Sequence, residues 1–81
     1  MKEALLAHFE KHPWTNNSRN CIISGCCAVE ARPSKRCGFY HELAKAIDPQ
    51  VDYALCTTTI VNYNDTPGRT WAEVKQLILS L

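Results

Sequence analysis

Apolar residues recur three and four positions apart along most of the chain, and turn-forming residues cut that pattern into short segments. In KEALLAHFEK, Ala4, Leu5, Leu6 and Phe9 stand among charged residues, which predicts a helix over residues 2–11. Pro13 forces His12 out of helical geometry and ends it. After Trp14, the stretch TNNSRN offers Thr15, Asn16, Asn17 and Ser18 as acceptors for free helix amides, so a second helix is expected over residues 19–31. Ile22, Cys26 and Val29 share one stripe of it, and Gly25, which weakens a helix, implies the close approach of a neighbouring element. Pro33 closes that segment. A third helix is expected from Lys35 or Gly38 to Ile47, with Tyr40, Leu43 and Ile47 at helical spacing and Phe39 beside them. Asp48-Pro49 stops it and can open a further short helix over residues 49–55, because Asp suits a cap and Pro the first helical position.

The segment CTTTIVNYN sets propensity against period. Its β-branched run favours a strand, whereas Cys56, Ile60 and Tyr63 recur with helical spacing. A lone strand would leave its ladder hydrogen bonds unmade, so a helix capped by Thr57 or Thr58 is the better expectation, with a minor strand near 56–62 as the alternative. The last helix is announced by Thr70 and Glu73 as a T-x-x-E capping box, after which Trp71, Val74, Ile78 and Leu81 line one face. Pro67-Gly68 fits a turn with glycine at the positive φ, Asp65 can fold onto nearby amides, and Arg69 is placed to pair with it. The pattern as a whole predicts a mainly α protein, a compact bundle of four or five short helices in a single domain spanning residues 1–81.

With 81 residues the chain has room for one modest core, and at 46% hydrophobic and 21% charged it has the composition of a folding globular chain. Nine basic and eight acidic side chains are scattered, so the broad positive field of a nucleic-acid binder is absent and nucleic acid is not an expected partner. Arg32, Lys35 and Arg36 form the one basic cluster. No apolar run is long enough to cross a bilayer, and charges interrupt the amino terminus where a secretory signal needs an apolar stretch, which predicts a cytoplasmic protein without a membrane partner. In that compartment the five cysteines, Cys21, Cys26, Cys27, Cys37 and Cys56, are expected as reduced thiols.

The segment Tyr63-Asn64-Asp65-Thr66-Pro67-Gly68-Arg69-Thr70, followed by WAEVKQLI, resembles a bacterial and phage domain family of unknown function, whose aromatic-Asn-Asp-x-Pro-Gly-Arg-Thr segment precedes an amphipathic last helix. Trp14 and CIISGCCA resemble its other shared features, a tryptophan near the start and a Cys-rich or Ala-rich helix with one glycine. The resemblance implies a small, mostly helical domain and implies no activity.

Candidate chemistry divides into three classes. Cys21, Cys26, Cys27, Cys37 and His41 contain enough ligands for a structural zinc site, and Cys37 and His41 stand one helical turn apart, yet the spacing is no recognised zinc pattern and His41 points away from the core that Cys26 faces. A cysteine nucleophile would use Cys21 at the start of the second helix, with His41 as base and Asn64 or Asp65 as orienting group. P-loop, dinucleotide, zincin and nucleophile-elbow motifs are missing, and Asp48 with Asp52 read as dipole-compensating acids at a helix start. The third class is a binding module: TNNSRN and NYNDTPGR, flanked by Trp14 and Tyr63, would form one polar surface if the fold brings them to the same side. The expected function is therefore stoichiometric protein binding, by an accessory or inhibitor protein acting on a larger target such as a host-defence complex. The contact residues expected are Tyr63, Asn64, Asp65 and Arg69, with Arg32, Lys35 and Arg36 as a second patch. No cofactor, metal or catalytic residue is expected, and the chain is expected as a monomer or small homo-oligomer.

Overall fold

The computed structural model describes residues 1–16 and 20–81. Five α-helices follow one another: α1 (Lys2–Lys11), α2 (Ile22–Val29), α3 (Pro33–Ile47), α4 (Cys56–Asn64) and α5 (Trp71–Leu79), with a 3₁₀ turn, Tyr53–Leu55, leading into α4. There is no strand among the described residues. α3 packs on α4, α1 on α2, and α5 on both α1 and α3. Their shared interior is made by Leu5 and Phe9, Ile22 and Cys26, Phe39 and Leu43, Ile60, and Val74 with Ile78. Each pair is three or four residues apart, which is the spacing that puts both side chains on one stripe of a helix.

α1 ends at His12, as Pro13 requires. The expected caps of α2 are displaced. Asn17, Ser18 and Arg19 lie outside the described residues, and the helix starts at Ile22, where the Cys21 sulfur accepts the Ser24 amide at 3.5 Å. Gly25 fulfils its expectation: a Cβ there would lie 2.6 Å from Phe9 Cζ and 2.9 Å from Leu5 Cδ1, so its hydrogen is what lets α1 and α2 close on each other.

Pro33 opens α3 instead of closing α2. A proline at the first helical position has a preset φ and lacks only an amide that has no intrahelical partner there. α2 has already ended at Val29, and Glu30 through Arg32 form an extended corner. The short helix expected after Asp48 is likewise a turn: the Asp48 carboxylate accepts the Gln50 amide at 3.0 Å, and Asp52 accepts the Ala54 amide at 3.0 Å to start the 3₁₀ turn. Both acids therefore act as local caps.

In α4 period prevails over propensity. Cys56, Ile60 and Asn64 repeat every four residues and are buried while Thr58 and Asn62 between them are exposed, whereas a strand would put all five on one face. Neither Thr57 nor Thr58 caps it, because the 3₁₀ turn runs directly into the helix and its Tyr53 carbonyl takes the Cys56 amide. α5 has the full capping box, with Glu73 N–H to Thr70 Oγ1 at 3.3 Å and Thr70 N–H to Glu73 Oε1 at 2.9 Å. Gly68, at φ +82°, supplies the positive φ of the preceding turn.

Candidate functional site

Of the first polar segment, Asn16, with Trp14 just before it, lies on the same side of the bundle as the second and bonds to it. Asn64 is buried at the end of α4 with 1% of its surface exposed. Its Oδ1 accepts from the Trp14 indole at 2.7 Å and from the Ile22 amide at 2.9 Å, and its Nδ2 donates to Asp65 at 3.0 Å. Asn64 thus satisfies the first amide of α2 from another helix, a free donor that the local sequence leaves open. Asn16 completes the joint by donating to the Asn64 and Thr66 carbonyls at 2.9 and 3.1 Å. The expectation that Asn64 is presented to a partner is not met, because every polar atom of its side chain is used internally.

Tyr63 and Arg69 form a second internal unit. The guanidinium lies 3.7 Å over the Tyr63 ring, its Nε donates to the Tyr63 carbonyl at 3.0 Å, and its Nη1 pairs with Glu73 at 2.9 Å. The expected Asp65–Arg69 pair is replaced by Arg69–Glu73, since both residues stand one turn apart at the start of α5 and the capping box already fixes the carboxylate. The Thr70 amide, and then the Thr70 hydroxyl and Arg69, hold the Glu73 carboxyl below the usual carboxylate range. Of the loop residues expected to contact a partner, Tyr63, Asp65 and Arg69 are half-buried.

In the basic cluster, Arg32 pairs with Glu30 at 2.8 Å and Arg36 donates to the Glu30 carbonyl at 2.6 Å, while Lys35 is exposed. The hydrogen bonds from Arg32 hold the Glu30 carboxyl down at about 2. Two of the three cations therefore fasten the corner between α2 and α3.

The thiols disperse. Cys26 is in the core, where burial, followed by the neighbouring Cys27 and Cys21, pushes it up to about 12. Cys27 and Cys37 are exposed, and Cys21 caps α2. Among the described residues no three His, Cys, Asp or Glu side chains converge as a metal would need, so the five-residue zinc set is not assembled. His41 does meet a sulfur, though not that of Cys21: its Nδ1 lies 3.5 Å from Cys56 Sγ. In the sequence Cys56 stands out only as one of five cysteines and by its helical spacing from Ile60, and nothing local pairs it with His41, 15 residues away.

A further surface was missed. From Tyr53 to Asn64 the chain carries no charged side chain, yet Tyr53 is 66% exposed, Leu55 52% and Val61 38%. Thr57, Thr58 and Asn62 are exposed on the same outward side of α4. Their pattern of one apolar residue among neutral polar ones was legible as helix but not as surface. The chain matches no protein-family model, no curated protein and no solved structure. No helix of the described residues is long and apolar enough to cross a membrane.

Proposed function

We propose that this chain is a small protein-binding module acting stoichiometrically, and that the charge-free face of the Tyr53–Leu55 turn and α4 is its contact surface. The observation that carries the reading is the exposure of Tyr53, Leu55 and Val61 in a run without a single charge. Aromatic and aliphatic groups surrounded by neutral hydrogen-bonding side chains suit an interface centre, from which charged residues are depleted. The polar loop around Asn64 and Arg69 has a different part in this reading: it holds α4 in place behind the surface. The small size, near-neutral charge and missing catalytic motifs support an accessory or inhibitor protein whose target is a larger assembly, such as a host-defence complex.

A photo-crosslinking amino acid at Val61, compared with one at exposed Lys45 on α3, tests the surface. The expected result is a single saturable one-to-one adduct with a host protein from position 61 and none from position 45. Labelling from 45 but not from 61, or an effect on the target at far below equimolar amounts, overturns the proposal.

A further inference from the structure

Between α3 and the start of α4 lies a small, partly open pocket of about 70 Å³, lined by Cys37, Tyr40, Tyr53, Cys56 and Thr57. Two of the five cysteines thus border one small space, contributed by different helices. Cys37 and His41 stand one turn apart on α3, and the imidazole reaches across to Cys56, 3.5 Å from its sulfur, with the Tyr53 ring centroid 5.1 Å from that of His41. Cys56 itself is 7% exposed, whereas Cys37 is open to solvent. The other three thiols have different surroundings: Cys21 caps α2, Cys26 is in the core, and Cys27 stands 4.0 Å from the Tyr40 hydroxyl.

We propose that Cys56 and Cys37 form a peroxide-reactive thiol pair in which His41 serves as the base for Cys56. The substrate class is hydrogen peroxide, small enough for the pocket. With the imidazole proton on Nε2, Nδ1 takes the Cys56 proton. The sulfur attacks one peroxide oxygen, the O–O bond breaks, and the released hydroxide takes the proton from His41 to leave as water, giving Cys56 sulfenic acid. The Cys37 sulfur then attacks the Cys56 sulfur, the S–O bond breaks, the departing hydroxide takes the Cys37 proton and leaves as a second water, and a disulfide remains. Two thiols lose two electrons and one peroxide is reduced to two waters. The site shares Tyr53 and Thr57 with the proposed binding face, but its reaction needs neither a partner protein nor a metal.

The full chain, first fully reduced, is treated with equimolar hydrogen peroxide, alkylated and digested without reductant. The expected product joins the tryptic peptides that contain Cys37 and Cys56, which cleavage after Lys45 separates. In Cys37→Ser, a change at an exposed position, the Cys56 sulfenic acid persists and is trapped by dimedone at least about ten times faster than any adduct at exposed Cys27. His41→Asn slows Cys56 oxidation by about a hundredfold, the lower range for loss of a general base, with Cys27 unchanged. Dimedone at Cys27 before Cys56 in Cys37→Ser overturns the site whatever the His41 variant does. A Cys56 rate unaffected by His41→Asn overturns the role of the imidazole, and a disulfide from Cys56 to any other cysteine overturns that of Cys37.

Discussion

Replacing Asn64 by alanine removes the acceptor for two donors on two other segments of the fold. The Ile22 amide is fully buried, and the Trp14 indole is half-buried. A buried donor left without a partner costs about 1–3 kcal/mol, so Ile22 contributes about 2 kcal/mol and the more accessible Trp14 about 1 kcal/mol. Asp65, the third partner, is half-exposed and can turn to water. The expected loss is thus about 3 kcal/mol, which for a domain of this length lowers the melting temperature by about 15 °C. Urea unfolding followed by far-ultraviolet circular dichroism measures it, with an unchanged slope showing that the denatured state is not altered. Trp14→Phe combined with Asn64→Ala should show a coupling of about 1 kcal/mol, because the first change removes one of the two donors that the second strands. A loss below about 0.5 kcal/mol for Asn64→Ala, the range of ordinary surface substitutions, refutes the role of Asn64 as the joint between α2 and α4.

Two glycines give opposite expectations in the same denaturation assay. Gly25→Ala places a methyl 2.6 Å from Phe9 Cζ and should destabilise by about 1–3 kcal/mol, whereas Gly38→Ala meets nothing within 4 Å in mid-helix and should stabilise by about 0.5–1 kcal/mol. Gly68→Ala, at φ +82°, should cost about 1–2 kcal/mol with no change in α5 helicity by circular dichroism. The carboxyl of Glu73 is held below its unfolded value, so its contribution is fully present above about pH 4.3 and is lost as pH falls through the lower folded value. Glu73→Gln should therefore flatten the acid limb of the stability profile relative to the parent, and an unchanged limb would show that the cap does not depend on the charge.

Helix positions were legible because the signals that set them are local. The T-x-x-E box needs only four consecutive residues, Pro13 acts on its neighbour, and the repeat of Cys56, Ile60 and Tyr63 is visible over two turns. Pro33 is ambiguous for the same reason: a proline between two helices is equally a stop for one and a first residue for the next. What decided the matter was that α2 had already ended at Val29. The candidate site was less legible. NYNDTPGR shows its hydrogen-bonding capacity in sequence, but not where the bonds go. Asn64 reaches Trp14 and Ile22, which lie 50 and 42 residues away along the chain.

The helical class, the turn at Gly68 and the capping of α5 follow from the order of residues alone, since backbone sterics and neighbouring side chains fix these within a few residues. Packing alone set Asn64 inward at the end of α4, the uncharged side of α4 outward, and His41 against Cys56 and not Cys21. Those outcomes depend on which helices pack together, and a periodic pattern identifies a buried stripe without naming the stripe that covers it.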